Sequence, residues 1–313
     1  MTDTYLLDRD RWHAPDLEAE AGIRHQVTAV DGVRIHSVIA GNGPLVVLLH
    51  GFPQNWREWR HVLPDLVTAG YTVLAPDLRG FGGSDKPLDG YDIRSVATDM
   101  ARLVTALGFD AADVVGHDTG SSTAYAWAAV RPEQVRTVTL IEAIPAGLGA
   151  AGAPAGPTLH DKPMWHYGFL STPDLPEALI PGRERELLTY FFRAAAHDPT
   201  TFTDHDIDTY AAALASLGAL RGALAHHRAR DTTLAQNREF ARNPLTMPVL
   251  AIGARQSFGA RVGDAARQFA TTVTTAVVDR CGHWVPEERP VWLTRTLLDF
   301  VGGRPVSAGA GLS

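Results

Sequence analysis

The sequence predicts an α/β protein: a mostly parallel, twisted sheet flanked by helices and interrupted by a helical insertion. Three observations carry this. Runs of β-branched and aliphatic residues alternate with segments of helical period from Val27 to Ala143. The alternation stops between about Ile144 and Ala235, where no strand pattern is visible, and it resumes at Met247. A sheet that resumes after the break needs one interrupted domain rather than two independent ones. The expected division is therefore residues 1–145 and 236–313 for the two parts of the core, with a helical cap over 146–235.

The elements follow in order. "IRHQVTAVDGVRIHSVIAG" reads as two alternating strands around Asp31-Gly32, a strong hairpin signal. "PLVVLLHGF" is a continuous apolar run of the kind a buried parallel strand shows. "YTVLAPDLRGFGGSDKP" gives a strand and then a glycine-rich loop, and "DIRSVATDMARLVTALG" a helix that ends at glycine. "ADVVGHD" is a strand, "SSTAYAWAAVRP" a helix stopped by Pro132, and "VRTVTLIEA" the next strand. The insertion opens with the proline-rich "IPAGLGAAGAPAGP" and continues with "GRERELLTYFFRAAA" and "DHDIDTYAAALASLGALRGALAHHRA", both of helical character. "MPVLAIGA", "GDAARQFATT", "VTTAVVDRCGHW" and "VWLTRTLLDFVGG" complete the alternation. The small-residue tail "GGRPVSAGAGLS" is expected to be disordered.

Composition excludes several classes. Among 313 residues, 45% are hydrophobic and 20% charged, which is ordinary for a soluble globular chain. A net charge of −7 argues against a nucleic-acid binder, which needs a basic face. The single cysteine, Cys281, allows no intramolecular disulfide and fits a reducing compartment. The polar, acidic N-terminus lacks the apolar core of a signal peptide, and no window resembles a membrane span, so a cytoplasmic location is expected.

The chemistry concentrates in "VVGHDTGSS". A strand running into Gly116-His117-Asp118-Thr119-Gly120 and then a helix has the form of a nucleophile elbow, in which small flanking residues permit a sharp turn. The turn would push Asp118 out at the carboxyl end of the sheet, where open α/β sheets bind ligands. A simple helix N-cap is the plainer role for an aspartate there. His50-Gly51-Phe52-Pro53 follows a buried strand and can aim the backbone N–H of Phe52 at the elbow; with the N–H of Thr119 this makes an oxyanion hole. His283, in "RCGHWVPEE", follows the last strand, where a general base can reach the elbow. Two acids could orient that histidine: Glu142, at the end of the strand after the elbow helix, or Asp264, downstream of "MPVLAIGA". Ser121 and Ser122 lie one turn into the helix, too far from the apex to act as nucleophile.

These pieces, "HGFPQNWREWR", "PDLRGFGGSDKP", "GHDTG", "LIEAIP" and "RCGHWVPEE", together resemble the α/β-hydrolase superfamily over roughly Val27 to Val301. Within it the chain is most similar to the aspartate-nucleophile branch, which holds epoxide hydrolases and haloalkane and haloacid dehalogenases. The resemblance implies a cofactor-free hydrolase with no metal. Asp118 would attack a saturated carbon to form an alkyl ester, and water activated by His283 would cleave that ester. The position of Glu142 is that of the acid in one epoxide-hydrolase subgroup. Haloalkane dehalogenases carry Trp after the aspartate, and fluoroacetate-type dehalogenases carry Arg there and again three residues on; Thr119 and Ser122 stand at those positions. The alternatives remain a dehalogenase working by the same ester, or a hydrolase-fold protein that has lost epoxide activity.

The resemblance also places the groups that hold the epoxide oxygen. "MWHYGF" puts His166 at the first position, with Tyr167 beside it, and "GALAHHRA" puts His227 where the second tyrosine is expected. If histidines are the donors, activity should decline above about pH 7. The expected partner is a small apolar organic substrate, an epoxide; no nucleic acid and no membrane is expected, and a homodimer is compatible with the chain. "GLGAAG" (Gly147 to Gly152) has dinucleotide-loop spacing, but the following "APAGP" cannot open the helix that would receive a pyrophosphate. "FTDHDIDTY" is read as a helix start with acidic caps rather than a metal site.

Overall fold

The computed structural model describes residues 22–149 and 165–306. Eight strands form one sheet in the spatial order β1-β2-β4-β3-β5-β6-β7-β8. The strands are β1 (Arg24–Val30), β2 (Val33–Ala40), β3 (Leu45–Leu49), β4 (Thr72–Pro76), β5 (Ala112–His117), β6 (Val135–Ile141), β7 (Val249–Ala254) and β8 (Val273–Val278). The first two pairings, β1 with β2 and β2 with β4, are antiparallel, and all later ones are parallel. The hairpin read from Asp31-Gly32 is present: both residues have positive φ (50° and 81°), as a two-residue turn matched to strand twist requires.

The central strands are continuously apolar because both of their faces are covered. Leu45 to Leu49 and Val249 to Ala254 are buried at every position. One apolar cluster gathers Val47, Val114, Val138 and Trp127 on one side of the sheet; the other gathers Leu48, Val115, Ile252 and Trp59. The helices of the first part of the core are α1 (Leu63–Thr68), α2 (Ile93–Ala106) and α3 (Thr119–Val130). Helix α3 is buried along nearly its whole length, which explains its run of small and aromatic residues without a polar face.

Between β6 and β7 the described residues form six helices: α4 (Trp165–Ser171), α5 (Leu175–Leu179), α6 (Glu184–Ala195), α7 (Asp204–Ala215), α8 (Ala219–Arg228) and α9 (Arg230–Phe240). The chain then returns to the sheet through β7, α10 (Arg261–Ala266) and β8, and ends in α11 (Val285–Glu288) and α12 (Pro290–Val301). The boundary expected at 235 falls inside α9. That helix serves the core directly: Thr233 Oγ1 and Gln236 Oε1 accept the N–H groups of Ile93 and Arg94 at the start of α2 (3.2 and 3.0 Å). The open amides of α2 thus tie the last inserted helix to the sheet layer. Part of "GLGAAG" and the end of the C-terminal tail lie outside the described residues.

The loop after β4 is clamped by a buried bidentate pair, Arg79 Nε and Nη2 on Asp99 Oδ2 and Oδ1 of α2 (both 2.6 Å). Removing one partner leaves the other charge uncompensated. Asp99→Ala is expected to destabilise the fold by about 3–5 kcal/mol, read as a lower urea midpoint. A shift below about 1 kcal/mol would mean the clamp is not a structural tie.

Candidate active site

Asp118 occupies the apex of the turn from β5 to α3, with φ +49° and ψ −116°. A non-glycine residue rarely adopts this conformation, and the surrounding backbone must hold it there. Glycines make the turn possible. A Cβ on Gly116 would lie 2.2 Å from the Gly120 carbonyl oxygen, and one on Gly120 would lie 2.0 Å from that of Leu49. The elbow read from "GHDTG" is therefore a steric necessity. Ser121 is consumed inside it: its hydroxyl donates to Gly116 O (2.6 Å) and accepts the Ile141 N–H (2.9 Å).

Two donors address one oxygen of Asp118. The Phe52 N–H donates to Asp118 Oδ1 at 3.0 Å, and the Thr119 hydroxyl donates to the same oxygen at 2.9 Å. The loop that carries Phe52 is held by His50. The Leu78 N–H donates to His50 Nε2 (3.0 Å), so that nitrogen is bare, and Nδ1–H donates to Gly51 O (2.9 Å). Gly51 allows the close approach: a Cβ there would stand 2.7 Å from that of Asp118. The Phe52-Pro53 peptide is cis.

His283 follows β8 and lies between two carboxylates. Its Nε2 is 3.6 Å from Asp118 Oδ2 and its Nδ1 is 3.3 Å from Glu142 Oε2. Burial alone would lower the affinity of this ring for a proton. The two neighbouring carboxylates, Asp118 and Glu142, outweigh burial and hold the imidazolium up to about 10. Burial would raise Asp118, but the nearby His283 and the Phe52 N–H keep it well below the ordinary carboxylate range. Glu142 is fully buried just beyond β6, with φ +53°. Its Oε1 accepts the N–H groups of Ala254 (2.6 Å) and Phe258 (3.3 Å), which aims Oε2 at the histidine. The alternative acid, Asp264, is on the surface of α10 in a pair with Arg267 (2.9 Å).

Opposite the elbow stand the inserted helices. Tyr167 and His166 on α4 and His227 on α8 come together: the Tyr167 ring is centred 5.3 Å from His227 and 4.7 Å from His166, and Phe52 lies 4.7 Å from His227. Phe191 and Trp165, stacked at 5.7 Å, extend an aromatic wall from Phe52. The structure changes what His227 can do. Its Nδ1 is 3.0 Å from the Ala223 carbonyl, which can only accept, so the neutral ring carries its proton on Nδ1 and Nε2 is an acceptor. Burial lowers its affinity for a second proton. Tyr167 moves the other way: burial, and then the charge of Asp118, raise its hydroxyl above the ordinary tyrosine range, so it keeps its proton. The acidic "FTDHDIDTY" is accounted for by a capping box between Thr203 and Asp206 and by ion pairs of Asp204 and Asp208 with Arg185.

The chain matches the alpha/beta hydrolase fold family over residues 44–290. It belongs to the α/β-hydrolase fold family. A soluble epoxide hydrolase of Corynebacterium sp. (strain C12) is 36% identical over 282 residues, covering 89% of this chain and 97% of that one. Among solved structures, Cfl2 of Burkholderia cenocepacia superposes with a TM-score of 0.85 at 40% identity, covering 92% of this chain and 97% of its own. The epoxide hydrolase CorEH does so with a TM-score of 0.83 at 35% identity, covering 90% and 99%. Among the described residues of this α/β-hydrolase, no helix is long and apolar enough to cross a membrane.

The two carboxylates together sustain the imidazolium. Asp118→Asn removes the partner of Nε2 and should lower the His283 pKa by at least about one unit from its value near 10, followed by ring NMR titration. An unchanged titration would show that Asp118 does not govern this histidine.

Proposed function

We propose that this α/β-hydrolase opens epoxides to vicinal diols through a hydroxyalkyl ester on Asp118. The observation that carries the reading is a carboxylate at the elbow apex, with the Phe52 N–H and Thr119 hydroxyl on one oxygen and His283 Nε2 3.6 Å from the other. The names of the relatives above support the substrate class.

In ring opening, Asp118 Oδ attacks an oxirane carbon, the C–O bond breaks, and Tyr167 donates its phenolic proton to the departing oxygen. His166 is the second group on that oxygen. His227, with Nε2 as an acceptor, lines the site instead of donating. Esterification removes the charge that held His283 protonated. Its pKa falls, and its proton restores the Tyr167 hydroxyl. The neutral His283, oriented by Glu142, then takes a proton from water as the hydroxide attacks the carboxyl carbon. The backbone N–H groups of Phe52 and Thr119 take up the charge that develops on the tetrahedral oxygen. Collapse of that intermediate releases the diol, the Asp118 carboxylate and imidazolium His283, which is the starting state. Helices α4 to α9 act as the cap that closes an apolar site over the elbow; the aromatic wall suits a small apolar epoxide.

The division of labour separates the two steps. With His283→Gln, hydrolysis should stop while alkylation continues, so intact-protein mass should rise by the mass of one epoxide. Asp118→Asn should show no adduct. In the His283→Gln background, Tyr167→Phe should slow adduct formation by about 10²–10⁴-fold. On the alkaline side, wild-type alkylation should hold to about pH 9 and decline as His283 loses its proton near 10, while ester hydrolysis should slow toward acid as the neutral base becomes protonated. A decline centred near pH 7 would return the donor role to the lid histidines.

A further inference from the structure

Beneath the nucleophile lies a buried pair that the reaction above does not use. His117, adjacent to Asp118, and Glu58, in the short 3-10 helix Trp56–Trp59, are both 0% exposed. Together they join the three segments that make the site. The Gly51 N–H of the oxyanion loop donates to Glu58 Oε2 at 2.7 Å. His117 Nε2 lies 2.8 Å from the carbonyl oxygen of His283. Between them, His117 Nδ1 stands 3.0 Å from Glu58 Oε1, and among the described residues neither atom has a hydrogen-bond partner as the side chains stand.

Proton counting limits the possibilities. A carbonyl only accepts, so His117 Nε2 carries a hydrogen. In a neutral ring Nδ1 is then bare. A bare nitrogen and an ionised carboxylate oxygen, buried 3.0 Å apart, would oppose lone pair to lone pair, with neither satisfied. One more proton must lie between them. It either makes His117 an imidazolium or keeps Glu58 a neutral acid. The His283 ring, the cation of the site, is centred 4.8 Å from His117 and disfavours a second positive charge there. A dry interior likewise disfavours separated charges. Titration tendencies agree: burial, followed by His283, lowers His117 to about 4, and burial raises Glu58 well above the carboxylate range.

We propose that Glu58 is a neutral carboxylic acid that donates to His117 Nδ1, and that this shared proton positions the oxyanion loop and the His283 loop against Asp118. Glu58 and His117 are positioning residues. The acid accepts from Gly51, which sets the Phe52 N–H, and through His117 it fixes the backbone of the general base. The electrostatic consequence is a neutral floor under the nucleophile: the pair adds no charge of its own beneath Asp118. The activity part of the test rests on the epoxide-hydrolase reading; the spectroscopic part does not.

Glutamine distinguishes this state from an ion pair, because its carbonyl can accept from Gly51 while its NH₂ donates to His117. The two-bond ¹H–¹⁵N correlation of the ¹⁵N-labelled full chain at about pH 7.5, with His117 assigned by its loss in His117→Phe, should show the neutral Nε2–H tautomer in wild type and in Glu58→Gln. Epoxide turnover by Glu58→Gln should stay within about threefold of wild type. Glu58→Leu should lose about 10²-fold in kcat with little change in KM, the size expected for a misplaced oxyanion donor. An imidazolium pattern for His117 in wild type, or a glutamine variant as impaired as the leucine one, would overturn the proposal. If wild type turns over no epoxide, the reaction reading fails, and the His117 spectrum still decides the protonation of the pair.

Discussion

The active end of this molecule depends on a carboxylate held at a strained turn. Asp118 keeps a positive φ only because Gly116 and Gly120 leave room for the backbone to fold back beneath it, and because Gly51 lets a second loop come within contact of its side chain. Once there, its oxygens are divided. Oδ1 receives the Phe52 N–H and the Thr119 hydroxyl, while Oδ2 faces His283. That division leaves a carboxylate that is ionised and oriented, the requirements for a nucleophile that attacks carbon in line. The strain has a compensating base in the sheet: β3, β5 and β6 end side by side, and their termini deliver the oxyanion loop, the elbow and Glu142 to one edge.

Electrostatics then turns one histidine to two uses. On the proposed reaction, a proton on His283 is stable beside the Asp118 carboxylate and loses that support when Asp118 becomes an ester. In that proposal the same ring is a cation in the first half of the cycle and a base in the second. Glu142 can serve both halves because it is buried and held by the Ala254 and Phe258 amides, so its orientation does not depend on the state of Asp118. Deeper in the core, the Glu58–His117 pair, with the proton we propose, would link the loops without adding charge.

Much of the fold, and the meeting of Asp118, Glu142 and His283 at one sheet edge, was legible in the sequence. Buried parallel strands announce themselves as apolar runs, and the ends of such strands are where side chains meet, so Asp118, Glu142 and His283 could be named from the positions they follow. The hairpin at Asp31-Gly32 was equally plain, since few residues accept the turn it needs. What sequence could not provide is proton placement. His227 stands at a position that reads as a donor, yet the carbonyl of Ala223, one turn earlier on the same helix, fixes its hydrogen on the other nitrogen. Asp264 could be set aside only when its surface pair with Arg267 was seen. The expected boundary at 235 missed the cross-connection from α9 to the start of α2, which depends on long-range side-chain caps. Glu58, inside "NWREW", gave no sign of its burial, because a single carboxylate between two tryptophans reads as the polar face of a short helix.

The central claim is that the diol oxygen supplied in each turnover comes from Asp118, not directly from water. A single turnover in H₂¹⁸O, with enzyme in excess over epoxide, tests it. The account predicts an unlabelled diol and one ¹⁸O in the Asp118 carboxylate, located by mass spectrometry of the peptide that contains it. Label in the diol with none in Asp118 would show direct attack by water and would contradict the covalent route.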